Sequence, residues 1–189
     1  MRNLVISPRA IQVVNKSIDL FHHHGFHTVG IDRIVKESQI PKATFYHYFH
    51  SKELFIEICM TVQKERLKEK VVSIADYDQG TGVRDKLKTI YLLHTDLEGP
   101  YYLLFKAIFE TKLTYPKAYQ IAVRYRTWLL NEIYSQLIKL KTDVYFQDAK
   151  LFLYMIEGAI IQLLSSDKTG EREMILECFL KQFKVGEPM

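Results

Sequence analysis

The sequence predicts an all-α protein of about nine helices. Apolar residues recur at spacings of three and four along the whole chain, with no sustained alternation that would ask for strands. Breakers punctuate that pattern at Gly25, at Gln39-Ile40-Pro41, at residues 76–82 (DYDQGTG) and at Gly99-Pro100. The 189 residues are 48% hydrophobic and 25% charged, which excludes a disordered chain and allows one or two small domains with a real core. No apolar run approaches the roughly 20 residues of a membrane span. Residues 1–8 lack the apolar stretch and cleavage site of a signal peptide, so a cytoplasmic protein is expected.

The first helix is expected over 8–24, capped by Ser7, with Pro8 in its first turn and Gly25 ending it as a left-handed residue. Ile11, Val14, Ile18 and Phe21 form its inward stripe. His22, His23, His24 and His27 invite a metal reading. Adjacent helical side chains diverge, however, and Gly25 interrupts the helix between His23 and His27, so solvated imidazoles are the better reading.

A short amphipathic helix follows from Ile31 to about Ser38, with Ile31, Ile34 and Val35 on one face. After the tight connection 39–41 comes a second short helix, Lys42 to about Phe49. Two short helices across such a turn form the helix-turn-helix plan, whose second helix enters the DNA major groove. Phe45 and Phe49 share a face that should pack on Ile31, Ile34 and Ile40, while small Ala43 lets the helices approach. Lys42, Thr44, Tyr46, His47 and Tyr48 then offer a cation, a hydroxyl, an imidazole and phenols to phosphates and base edges.

At these residues the stretch resembles the DNA-binding domain of the TetR family of bacterial transcriptional regulators. Gly25, Phe26, Ile31, Ile34, Val35, Ile40, Lys42, Thr44, Phe45, Tyr46, Tyr48, Phe49, Ser51, Lys52, Glu53 and Leu54 fall on the family's pattern. The resemblance covers about the first third of the chain. It implies an N-terminal three-helix helix-turn-helix domain over residues 1–52. A C-terminal helical ligand-binding and dimerisation domain would then fill 53–189. It further implies a double-stranded DNA operator, a homodimer through the last two helices and a small-molecule effector, with no enzyme activity, cofactor or metal.

DNA contacts are assigned to backbone at Gly30 and to Arg33, Lys42, Thr44, Tyr46, His47, Tyr48 and Lys52, the last matching a phosphate contact in the pattern. Arg33 and Lys36, on the first of the two short helices, are weaker phosphate candidates. Three positions depart from the family. Gln39 stands where Gly is common, at a cost of about 1 kcal/mol if its backbone is left-handed. Gly30 stands where Ser or Thr is common. Asp32 stands where a base is common; it suits a helix N-terminus but repels phosphate, so it is kept out of the phosphate contacts. It either complements the helix dipole or accepts from cytosine N4.

Charge placement agrees with this reading. Residues 1–52 hold seven Lys/Arg against three Asp/Glu, so the entire net charge of +4 falls on the helix-turn-helix segment. Purely electrostatic DNA binding would want more cations than this. Walker loops, G-x-S-x-G and zinc spacings are all missing, which disfavours a helical enzyme.

Beyond residue 50 a fourth helix is expected over 51 to about 73, with Leu54, Phe55, Ile58, Cys59 and Val62 buried. A fifth runs over 83–97 with Leu87, Ile90, Tyr91 and His94 at helical spacing, and a sixth over 101 to about 113. Thr114 is a candidate cap for a seventh helix reaching about 141, with Arg124 and Arg126 expected to be exposed. The aromatics Tyr91, Tyr101, Tyr102, Phe105, Phe109, Tyr119, Tyr125 and Trp128, with His94, suit a pocket for a small apolar or aromatic ligand among helices four to seven. His94 and Glu98 also have the spacing of a metal pair. The eighth helix, 146–165, is apolar nearly all round and so needs cover on more than one face. Leu151, Tyr154, Met155, Gly158, Ala159 and Gln162, with Ile175 and Phe179 of a ninth helix over about 169–184, are assigned to a dimer interface. Cys59 and Cys178 are read as two buried thiols.

Overall fold

The computed structural model describes residues 7–76, 82–140, 143–165 and 170–183. Among them the secondary structure is entirely helical: α1 (Pro8–His24), α2 (Ile31–Glu37), α3 (Lys42–Phe49), α4 (Lys52–Asp76), α5 (Val83–His94), α6 (Pro100–Glu110), α7 (Pro116–Leu137), α8 (Phe146–Ser165) and α9 (Gly170–Lys181). No helix among the described residues is long and apolar enough to cross a membrane. Most of the loop expected over 76–82 lies outside the described residues.

The chain divides into two compact units. One comprises the residues up to Arg66 together with Leu103–Val123; the other comprises Leu67–Tyr102 and the residues from Arg124 onward. The first unit therefore extends past residue 52, adding the start of α4, most of α6 and the start of α7 to the three N-terminal helices.

In the first unit Ser7 caps α1, its hydroxyl accepting from the Ala10 N–H at 3.2 Å. The buried side of α1 is Ala10, Val13, Val14, Ser17, Ile18 and Phe21, and Ile11 is exposed, contrary to expectation. Val13 and Ser17 extend the buried stripe on the side away from Ile11. Phe21, Phe26, Phe45, Phe49 and Phe55 fill the core. Ring centroids lie 5.2 Å apart for Phe21–Phe26, 4.9 Å for Phe45–Phe55 and 4.4 Å for Phe49–Phe55. Along α4 the buried positions include Phe55, Ile56, Cys59, Met60, Leu67 and Val71. The expected stripe was rotated: Leu54 is exposed, Ile58 and Val62 only half-buried.

Gly25 ends α1 with φ 78 and ψ 165, its N–H reaching the Phe21 carbonyl. The positive φ was expected. The extended ψ places it in a region essentially confined to glycine, rather than in the left-handed helical region. A Cβ there would meet the Glu110 carboxylate at 2.8 Å. That carboxylate accepts from the Phe26 N–H at 2.8 Å, and the Glu110 carbonyl accepts from His27 Nε2 at 2.6 Å.

In the second unit the core runs through Leu87, Ile90, Tyr91, Tyr125, Leu129, Phe152, Ile156 and Leu180. Arg126 of α7 and Glu157 of α8 form a two-pronged ion pair at 2.5 and 3.0 Å. Arg126 is thus held rather than open to a ligand, while Arg124 is exposed as expected. The Tyr91 hydroxyl donates to the Arg172 carbonyl at 3.2 Å, and the Arg172 guanidinium returns a bond to the Thr95 carbonyl at 2.7 Å, joining α5 to α9. Three expected ends were too long: α5 stops at His94, α6 at Glu110 and α7 at Leu137. Thr114 does not cap α7, because Tyr115 immediately precedes it. Cys178 is exposed and Cys59 buried. The burial of Cys59 pushes its thiol far up from its usual range.

Gly25→Ala should lower folding stability by on the order of 1–3 kcal/mol, from its backbone conformation and its contact with Glu110. Denaturant unfolding of the two proteins side by side measures it.

Candidate nucleic-acid interface

The helix-turn-helix is built from its buried side outward. Ile34, Ile40, Phe45 and Phe49 are buried, while Ile31 and Val35 are half-buried. Gln39 carries the tight connection at φ 52, in the left-handed region anticipated for it. The Gln39 N–H reaches the Lys36 carbonyl at 3.2 Å and the Ile40 N–H the Val35 carbonyl at 3.1 Å. The turn therefore closes through backbone bonds without glycine. A second positive-φ residue, His50 at φ 61 and ψ −50, ends α3 with its N–H on the Tyr46 carbonyl. No residue pattern around position 50 signals it.

With Phe45 and Phe49 inward, α3 turns Lys42, Ala43, Tyr46 and His47 to solvent and leaves Thr44 and Tyr48 half-buried. Ala43 does not line the α2–α3 contact as expected; it faces out. Tyr46 is 42% exposed and sets its ring edge-on to Phe45 at 5.7 Å. His47 and Tyr48 rings lie 5.7 Å apart. Gly30 is exposed, with open space where a side chain would stand; Arg33 is half-buried and Lys36 exposed.

Two cations are engaged. Lys52 donates to the Phe26 carbonyl at 2.8 Å and lies over the Tyr115 ring at 5.6 Å, where the family pattern assigns it a phosphate. Lys42, the first residue of α3, pairs with Asp32 of α2 at 2.7 Å. Hydrogen bonding to that carboxylate holds the Lys42 ammonium above its usual range.

The aromatic residues assigned to a ligand are divided between the two units. Tyr91, His94, Tyr101, Tyr125 and Trp128 belong to the second unit; Phe105, Phe109 and Tyr119 belong to the first, and Phe109 is 69% exposed. Tyr102 is half-buried. His94 is the centre of the buried group. Its Nδ1–H donates to the Ile90 carbonyl at 2.6 Å, which leaves Nε2 to accept from the Tyr125 hydroxyl at 2.7 Å. The Tyr101 ring packs on His94 at 4.7 Å, and Trp128 lies 5.6 Å from Tyr125. Both imidazole nitrogens are thus occupied, so His94 and Glu98 do not form a metal pair. Burial depresses the His94 pKa from 6.5 to about 4.

On α8 and α9, Leu151, Tyr154, Met155, Ile175, Cys178, Phe179 and Gln182 line an open apolar groove. Leu151, Tyr154, Gly158 and Ile175 are exposed, and Met155 and Gln162 half-buried. Ala159 and Phe179 are buried within their own chain, contrary to a wholly outward assignment.

The first unit thus has the architecture of a helix-turn-helix domain. Residues 13–58 match the family described as bacterial regulatory proteins, tetR family. The regulator UidR of Escherichia coli K12 is 32% identical over 59 residues, 31% of this chain and 30% of the relative. AcuR of Cereibacter sphaeroides, a transcriptional regulator, is 35% identical over 43 residues, 23% of this chain and 20% of the relative. The matched segment thus spans less than a third of either relative. In fold, the chain resembles Escherichia coli NemR in its reduced form, with a TM-score of 0.79 at 17% identity, covering 92% of this chain and 96% of that one. A TetR-family regulator from Cytophaga hutchinsonii gives 0.80 at 12% identity, covering 94% and 95%. The helix-turn-helix of this chain is thus similar to that of the TetR family over residues 13–58.

The buried His94 gives stability a pH dependence. Its folded pKa lies below its unfolded value, so the unfolded chain gains a proton near pH 6.5 that the folded chain refuses until about 4. Stability is full above 6.5 and falls as pH drops toward 4, by about 1.4 kcal/mol per unit. Urea midpoints between pH 7 and 4.5 should show a shallower decline in His94→Gln.

Proposed function

We propose that the protein is a dimeric transcriptional repressor that reads a palindromic operator through α3 and is released by a small, mainly apolar or aromatic effector. The observation that carries the reading is the two-sided character of α3. Phe45 and Phe49 are fixed in the core, while Lys42, Tyr46 and His47 stand outside it with Thr44 and Tyr48 at the edge. Base contacts are assigned to Lys42, Thr44, Tyr46 and His47. Phosphate contacts are assigned to Lys42, Tyr48, Lys52 and the Gly30 backbone, with Arg33 as a weaker candidate. Lys52 keeps donors for a phosphate beyond the one given to Phe26. Such a regulator works in the cytoplasm, beside its DNA.

The homodimer reading is supported by the apolar face that α8 and α9 leave exposed, with Leu151 52%, Tyr154 54% and Ile175 48% accessible. A twofold dimer puts two α3 helices on half-sites about one helical turn apart, or somewhat more. The effector reading is supported by the buried aromatic group around His94. An effector that weakens operator binding 100-fold needs about 2.7 kcal/mol of differential affinity between the two states.

Selection of bound fragments from sheared genomic DNA should enrich one palindrome, and Tyr46→Ala should weaken binding to it about 10-fold. Equal affinity for random and selected DNA would replace the operator reader with an accessory DNA-binding protein. Sedimentation should give twice the 22.3 kDa chain mass. Tyr154→Lys combined with Ile175→Lys should return it to one chain.

A further inference from the structure

We propose that Asp32 and Lys42 act together as a composite reader of one G·C base pair in each half-site. The Asp32 carboxylate accepts from cytosine N4, and the Lys42 ammonium donates to guanine O6 and N7. The inference rests on the operator-reading function above and extends it to a residue that the family pattern does not equip for DNA.

Lys42 opens α3, and the N-terminal residues of a recognition helix are those that meet base edges. Asp32 lies in the first turn of α2. Across the Gln39 turn the two side chains reach one another, and Asp32 Oδ1 stands 2.7 Å from Lys42 Nζ. Their side chains are 83% and 53% exposed, and an ion pair so open to water adds little to stability. What it does is present a fixed pattern. The ammonium has two N–H donors left, and the carboxylate keeps most of its lone pairs. A donor and an acceptor are thus displayed side by side.

That spacing is the spacing of a base pair. Guanine O6 and cytosine N4 are joined by one hydrogen bond, about 2.9 Å from end to end. Laid against that edge, Nζ meets O6 and Oδ1 meets N4, closing a ring of alternating donors and acceptors. Guanine N7, beside O6, takes the second ammonium proton. A T·A pair offers the same exchange at O4 and N6 but reverses the surroundings. The adenine N7 acceptor then lies next to the carboxylate, and the thymine methyl lies where the ammonium wants a second acceptor. The pairing also removes a conflict, because a lone carboxylate at this place would repel the phosphates, whereas the pair carries no net charge.

The test is fragment selection with the full chain, comparing wild type, Asp32→Ala and Lys42→Met, each checked for an unchanged thermal midpoint. Both side chains are exposed, so the fold should survive. The expected result is one G·C pair of fixed orientation in each wild-type half-site. Both substitutions should relax that same pair, on the order of 10-fold, and leave the other positions unaltered. The proposal is overturned if Asp32→Ala leaves the base preferences unchanged, whatever it does to overall affinity. It is also overturned if the two substitutions relax different positions, or if the wild-type half-site lacks such a pair. Those outcomes leave an enriched palindrome and the operator reading intact; absence of any enriched sequence with wild type removes both.

Discussion

Phe26 is the residue on which the N-terminal unit depends. Its side chain is fully buried, so its peptide groups are drawn out of easy reach of water. A buried backbone donor or acceptor without a partner costs about as much as a lost hydrogen bond. Here the N–H is answered by the Glu110 carboxylate and the carbonyl by the Lys52 ammonium. One residue between α1 and α2 is therefore bonded from α6 on one side and α4 on the other. The glycine before it is what lets the carboxylate come so close. The aromatic core beneath α3 can then form, since Phe26 stacks on Phe21, and Phe21 meets Phe55.

That core accounts for the division of labour on α3. Helix α3 has only eight residues to place it. Two phenylalanines, both buried and packed on Phe55, set its rotation. Once they are fixed, the outward positions are decided by the 3.6-residue period alone. The outward face is thus a by-product of how the core is filled.

The helix-turn-helix was legible because its local signals agree. The Ser7 cap, Gly25, the 39–41 turn and the Phe45–Phe49 pair each point to the same boundaries, and α1, α3 and α8 fall where the pattern places them. Legibility failed where three-dimensional contacts decide. Ile11 and Leu54 match an apolar period as well as their buried neighbours do, and only packing separates them. Cys178 sits in an apolar run yet faces outward, because α9 packs through Leu176 and Leu180 instead. Phe109 looks like a pocket residue in a list of aromatics, but belongs to a different unit from His94. Glu110 carries no motif at all, and its role depends on a backbone 84 residues away. The pairing of Asp32 with Lys42 likewise needs the closed turn; in the sequence the acid is only a departure from a basic position.

The Asp32–Lys42 pair also bears on how such a protein finds its site. Residence on random DNA grows with every phosphate a cation neutralises, because each such contact releases condensed counterions. A lysine already matched to a carboxylate releases few, so each visit to random sequence is brief and the molecule returns sooner to solution. On the operator-reading proposal, hopping would be favoured over prolonged sliding, and fewer copies would be sequestered along the chromosome. A modestly charged domain can thereby search a genome quickly while keeping its donors and acceptors for the few base pairs that match them.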